Sequence, residues 1–213
     1  MNGNEDMKRG GILLLISAPS GGGKTTVCAA MLGRNPRMRR VITCTTRLPR
    51  PGEVQGVDYH FLERAEFGRR VEAGEFLEHA DVYGNRYGTL RSSVLEVLRG
   101  GSDVLLNIDV QGAASIRKAA AGDVELGAAL VTVFLTPSTL GELERRLRGR
   151  GTDADEVVAR RLAAAAGEVE EARHFDYVVV SGTREEDQAR VQAVYEAEQV
   201  RRHRVRFDFG GGQ

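Results

Sequence analysis

The segment Ala18-Pro19-Ser20-Gly21-Gly22-Gly23-Lys24-Thr25-Thr26 holds the residues best equipped for chemistry. Its glycines free consecutive backbone N–H groups to point inward and wrap a phosphate. Lys24 is placed to reach the β- and γ-phosphates of a nucleoside triphosphate, and the Thr25 hydroxyl to ligate Mg²⁺. A helix opening at Lys24 adds positive potential at its N-terminus, where anions are held best. A strict GxxxxGK pattern would have Gly where this chain has Ala18. Ala is penalised only at positive φ, so the change is harmless at a strand end. The bland alternative is an ordinary glycine-rich strand-to-helix turn. Strand, loop, Lys, hydroxyl and helix coincide here, which favours the phosphate-binding loop.

A second element is the run Val104 to Ile108 ending in Asp109, an apolar strand closing on an acid. Asp109 is placed either at the Mg²⁺ side of a nucleotide site or as the cap of a following helix, and the two roles are compatible.

These residues need a frame. Gly11 to Ser17 predicts a buried strand, and Lys24 to Leu32 the helix after the loop. Val104 to Ile108, Ala129 to Leu135 and Tyr177 to Val180 are similar short apolar runs, the pattern of buried parallel strands. From Asp153 onward Val158, Leu162, Ala165, Val169 and Ala172 form one helical stripe, and Glu185 to Arg204 makes a final helix. The expected fold is α/β, a doubly wound five-stranded parallel sheet with helices on both faces. Residues 10–42, 91–137 and 162–206 form its core. The stretch 43–90, rich in Tyr, Phe, Arg and turn residues, reads as an inserted lobe of short antiparallel strands around a helix near Arg64 to Ala73. A second, Arg-dense insertion at 138–161 is expected to be a mobile cover, and 207–213 a disordered tail.

Composition narrows the function. Thirty Lys and Arg balance thirty Asp and Glu, so the formal net charge is zero. That balance gives no basis for a general attraction to nucleic acid or anionic membrane, and polyanion chemistry must be local. The longest aliphatic run, Ile12 to Ile16, is far short of the roughly 20 apolar residues that span a bilayer. Residues 1–9 lack the form of a signal peptide, which makes the cytoplasm the expected compartment. Cys28 and Cys44 have no metal or disulfide spacing and read as buried free thiols. Only Lys8, Lys24 and Lys118 are lysines, the other 27 basic residues being Arg. A lone Arg is therefore weak evidence of a site, whereas a Lys in a glycine-rich turn is not.

With these motifs in view, the chain resembles the guanylate kinases from about Ile12 to Val180. The resemblance rests on Ser17–Thr25, Thr43–Glu53, Gly56–Tyr59, Phe76–His79, Tyr87–Thr89, Ile108–Gly112 and Arg146–Gly151. It implies transfer of the γ-phosphoryl group of ATP to GMP or dGMP, with Mg²⁺. Residues Ala18 to Thr26 would bind ATP. Arg47 and Arg50, with Tyr59 and Tyr87, would hold the GMP phosphate, a task suited to guanidinium forks and phenolic hydroxyls. Glu78 would face the guanine edge, with Thr43, Thr89 and Asp109 as further contacts. One carboxylate can accept from guanine N1–H and its exocyclic amine together, a pair adenine lacks. The second insertion would be a lid whose Arg146, Arg150 and Arg161 fold over the phosphates beside Lys24.

Two positions depart from the family pattern. Asn107 stands where an acid is common, and Ser181-Gly182-Thr183 where many members carry an Asn-initiated segment near the adenine. Rival readings are a catalytically inactive guanylate-kinase-like interaction module and a related sugar-phosphate kinase. The retained Lys24, Thr25, Arg146 and Arg150 oppose the first, and the guanine reader Glu78 opposes the second. No NKxD stretch supports a GTPase. A homo-oligomer is left open.

Overall fold

Alternate residues of the first apolar run face opposite ways, and this decides the layering. In β1 (Leu13–Ser17) Leu13 and Leu15 enter one hydrophobic core, while Leu14 and Ile16 enter another on the opposite face. A strand buried on both sides needs helices on both sides. The computed structural model, which describes residues 10–19, 21–82, 84–149 and 155–205, supplies them. On one face lie α1 (Lys24–Arg34) and α8 (Arg184–Gln199), contributing Val27, Met31, Val191 and Tyr195. On the other lie α3 (Arg91–Arg99), α4 (Val110–Ala121) and α5 (Val124–Ala129), contributing Val94, Leu98, Ile116 and Leu126.

The sheet has five parallel strands, as expected. With β2 (Met38–Arg40), β7 (Asp103–Asn107), β8 (Leu130–Pro137) and β9 (Tyr177–Ser181), its order is β2-β7-β1-β8-β9. Chain connections leave β1 and β8 in opposite directions. A switch point therefore opens beyond their carboxyl ends, where open α/β sheets bind ligands. The phosphate-binding loop leaves β1 at that place.

The inserted stretch builds a second sheet from β3 (Cys44–Thr45), β4 (His60–Phe61), β5 (Phe76–Val82) and β6 (Asn85–Leu90), beside helix α2 (Arg64–Glu72). Its order is β4-β3-β6-β5. The expectation of antiparallel strands holds for β5–β6 and β3–β6 but not for β3–β4, which pair in parallel. Residues 46–59 form the long return that such a pairing requires. The second insertion contains α6 (Leu140–Arg148) and the start of α7 (Asp155–Glu170), which pack together through Leu143, Leu147, Val158 and Ala165. Helix α7 runs unbroken across the expected boundary after residue 161. Residues 207–213 lie outside the described residues. No helix among the described residues is long and apolar enough to cross a membrane.

Two buried polar clips close the foot of the sheet. Asp103, fully buried, accepts from Ile12 N at 2.8 Å and from the Tyr195 hydroxyl at 2.5 Å. The last helix stops at Gln199 rather than continuing to Arg204. The chain then turns so that Arg204 is buried against Glu198 at 3.3 Å, with its carbonyl accepting from Gly10 N at 2.9 Å. Glu198 also accepts from the Tyr177 hydroxyl at 2.5 Å. Removing one partner of a buried ion pair strands the other charge. Arg204→Ala is expected to lower stability by about 3 kcal/mol, seen as a reduced midpoint in urea unfolding. A loss under about 0.5 kcal/mol, the size of an ordinary surface change, would show the clip to be incidental.

Candidate active site

The loop after β1 has the backbone a phosphate needs. Gly21 and Gly23 have φ of 89° and 91°, in the left-handed region that favours glycine. A Cβ on Gly22 would lie 2.7 Å from the Ala18 Cβ and 3.0 Å from the Pro19 carbonyl oxygen. The Ala18 methyl is buried in the core shared with Ile16 and Val27, so alanine fits where the strict pattern has glycine. Helix α1 begins without a side-chain cap and without an acid in its first turn, which leaves its positive end uncompensated. The Ser17 hydroxyl, buried at the strand end, is without a hydrogen-bond partner. Ser20 lies outside the described residues.

Lys24 folds back over the loop and donates from Nζ to the Ala18 carbonyl at 2.7 Å. Burial pushes its ammonium below the usual lysine range, opposed by the negative charge of Glu168 and Asp109. Thr25 and Thr26 are exposed on the first turn. Thr25, Cys28, Ala29 and Leu32 share one face of α1 and line a cavity of about 550 Å³. That face follows from helical spacing and was readable in the sequence. The Cys28 thiol is pushed up to about 12 by burial, so it serves as wall rather than nucleophile.

The opposite wall comes from the second sheet and includes Thr43, Tyr59, Glu78, Tyr87 and Thr89, with Asn107 and Asp109 at the end of β7. Register explains the grouping. Glu78 stands opposite Thr89 across β5 and β6, and the Thr89 hydroxyl donates to Glu78 Oε1 at 2.6 Å. Burial pushes the Glu78 carboxyl above its usual range, and nearby Asp109 adds to the shift. His79, next in the strand, turns to the other face and packs edge-on to Phe67 and Phe76. Asp109 caps α4 by accepting from Gly112 N at 2.8 Å and also borders the cavity.

Arg47 lies 5.5 Å over the Tyr59 ring, and Tyr59 packs edge-on to Tyr87 with centroids 6.1 Å apart. Its guanidinium is held by a residue to which the sequence reading gave no role. Glu53 accepts from Arg47 at 2.8 and 3.0 Å and from Arg50 N at 2.7 Å, which holds the Glu53 carboxyl below the usual range. Arg47 followed six residues later by an acid in a turn was the available signal. The Arg50 side chain is exposed. Gly21 to Lys24, Arg47, Arg50, Arg146 and Arg161 are not among the residues lining the cavity, which meets the phosphate-binding segment at Thr25. Arg146 is tied to the end of β9, Arg161 lies partly buried on α7, and Arg150 is outside the described residues. Helix α6 nonetheless covers the loop, since a Cβ on Gly21 would meet the Leu147 side chain at 2.8 Å.

The donor set fits Mg²⁺. A hydroxyl, an amide and a carboxylate from Thr25, Asn107 and Asp109 border one space, and Mg²⁺ takes few protein oxygens when phosphates supply the rest.

Comparison with known proteins points to one family over most of the chain. The guanylate kinase family model matches residues 11–198. The guanylate kinase of Paramagnetospirillum magneticum is 47% identical over 198 residues, covering 93% of this chain and 90% of its own. That of Geobacter sulfurreducens is 44% identical over 199 residues, covering 93% and 95%. A crystal structure of guanylate kinase from Anaplasma phagocytophilum superposes with a TM-score of 0.66 at 31% identity, covering 93% of this chain and 92% of that one. The matched span takes in the loop, both cavity walls and the helix pair above them, and the chain belongs to the guanylate kinase family.

Proposed function

We propose that the protein transfers the γ-phosphoryl group of ATP to GMP, and to dGMP, giving ADP and GDP or dGDP for purine nucleotide supply. The observation that carries this reading is a cavity that joins the first turn of α1 at Thr25 to the half-buried carboxylate of Glu78. One end suits a triphosphate and the other a purine with adjacent donors.

An oxygen of the GMP phosphate attacks the γ-phosphorus as the bond to the β–γ bridging oxygen breaks, and ADP leaves with that electron pair. Such a reaction asks for alignment and charge neutralisation rather than covalent help. The N–H groups around Gly21 to Gly23 and the Lys24 ammonium hold the β- and γ-phosphates. Thr25 would hold Mg²⁺, which would supply further neutralisation of those phosphates. Arg47, preset by Glu53 and Tyr59, and Arg50 hold the acceptor phosphate with the hydroxyls of Tyr59 and Tyr87. Arg146 of α6 and Arg161 of α7, with Arg150, neutralise the charge that builds up on the transferred group. Closure of the α6–α7 unit excludes water. All these residues come from one chain. The cytoplasm is the compartment we assign to it.

Selectivity rests on unmet hydrogen-bonding capacity. An ionised carboxylate accepts about four hydrogen bonds. Glu78, half-buried on the cavity wall, accepts from the side chain of Thr89. Guanine N1–H and its exocyclic amine fill the deficit, while adenine leaves it open. Thr43 and Asp109 complete the guanine pocket.

A coupled ADP-release assay over GMP, dGMP, AMP, CMP and UMP should show turnover confined to the guanine nucleotides. Lys24→Ala should reduce it at least ~10²-fold with unfolding unchanged. Ordinary turnover in that variant would refute the role of the loop, and turnover with AMP comparable to GMP would refute the reading as a whole. Glu78→Gln should raise KM for GMP roughly 10- to 100-fold. Because burial raises the Glu78 carboxyl, KM for GMP should climb on acidification already above the usual carboxylate range, as the acceptor becomes protonated. Glu78→Gln should lose that limb. The GMP phosphate titrates in both proteins, so identical pH profiles would count against Glu78 as the guanine reader.

A further inference from the structure

The segment after β9 carries a side chain the reaction does not yet use. Arg146 donates from Nε to Glu142 at 2.8 Å, from Nη1 to Ser181 Oγ at 2.9 Å and from Nη2 to the Gly182 carbonyl at 3.3 Å. Behind both acceptors stands Asp187, on the first turn of α8 and 5% exposed. It accepts from the Ser181 hydroxyl and, at 2.8 Å, from Gly182 N. We propose that Asp187 is a positioning residue for Arg146, acting through the Ser181 hydroxyl and the Gly182 peptide. The proposal rests on the phosphoryl-transfer reading above.

Proton direction links Asp187 to Arg146. A serine hydroxyl has one proton and rotates to suit its neighbours. Ser181 gives its proton to Asp187, so its lone pairs face the guanidinium of Arg146. Without Asp187 the rotor is free to turn its proton toward Nη1 and repel it. The bond from Gly182 N fixes the neighbouring peptide in the same way. Ser181 is 6% exposed, so water does not substitute for these contacts. Thr183 and Glu186 form a capping box that fixes the start of α8, and Asp187 follows directly.

Arg146 has five N–H donors and these contacts engage three, leaving two to meet an anionic oxygen. Leu143 and Leu147, flanking Arg146 on α6, already touch the space above Gly21. The Asp187 network therefore sets the orientation in which α6 presents Arg146 near the phosphate loop.

The test is a double-mutant cycle on the full chain with Asp187→Ala, Arg146→Ala and the pair, read by kcat and KM at saturating ATP and by unfolding of the free protein. Asp187→Ala should lower kcat roughly 10- to 100-fold, as expected of a misplaced catalytic group, with KM for GMP changed less than about twofold. In the Arg146→Ala background the same substitution should change kcat less than about twofold, because its route to the reaction is gone. Asp187→Asn, which retains an acceptor for Ser181, should recover part of the loss. Full multiplicative losses in kcat, or an unchanged kcat in Asp187→Ala, would overturn the proposal. Should Asp187→Ala fail to fold, Ser181→Ala carries the same cycle while sparing the Asp187–Gly182 bond. Absence of GMP turnover in the wild type would instead fail the functional reading. The unfolding cycle uses no substrate and still decides whether Asp187 and Arg146 are coupled, additive losses there counting against the proposal.

Discussion

Backbone N–H groups can close around a phosphate only where the chain enters the left-handed region, and Gly21 and Gly23 take it there. Much else in the structure holds that turn in place. Strand β1 is buried on both faces, so the loop leaves from a fixed point. The Ala18 methyl fills space that Gly22 vacates. Leu143 and Leu147 of α6 press on Gly21 from above, which ties the cover to the loop it serves. Lys24 folds back on the Ala18 carbonyl and is held in a partly desolvated position, a cost that an arriving triphosphate offsets.

The facing wall follows a different logic, that of a polar group held short of partners. Glu78 is held half-buried on its strand with Thr89 bonded to its carboxylate and Asp109 to oppose its charge. Such an arrangement costs stability and is relieved by a ligand with two adjacent donors. The two walls thus discriminate by different means, one by shape and charge and the other by hydrogen-bond deficit.

The parts of the fold legible in the sequence were those that local pattern determines. The loop, the strands after Ala129 and Tyr177 and the stripe of α7 all appeared where their apolar periodicity placed them. Edge strand β2 did not. Of Met38, Arg39 and Arg40 only Met38 is buried, and the strand owes its state to pairing with β7. The parallel pairing of β3 with β4 depends on a long return that carries no periodic signal. Arg201 to Arg204 read as the end of an amphipathic helix because a basic run suits a C-terminus. The burial of Arg204 against Glu198 is a tertiary fact, invisible to spacing. At the site, Thr25, Thr43, Tyr59, Glu78, Tyr87, Thr89 and Asp109 border one cavity while Arg47, Arg50, Arg146 and Arg161 do not, and the supports Glu53, Ser181 and Asp187 came into view only with geometry.

The central claim is that a triphosphate site and a guanine site face each other across one cavity. It is tested most directly by titrating the protein with adenosine and guanosine joined 5′ to 5′ through a polyphosphate. Simultaneous engagement of both walls should make this ligand bind at least ~10²-fold more tightly than ATP or GMP alone and displace both. Affinity no better than that of the tighter single nucleotide, or displacement of only one of them, would contradict it.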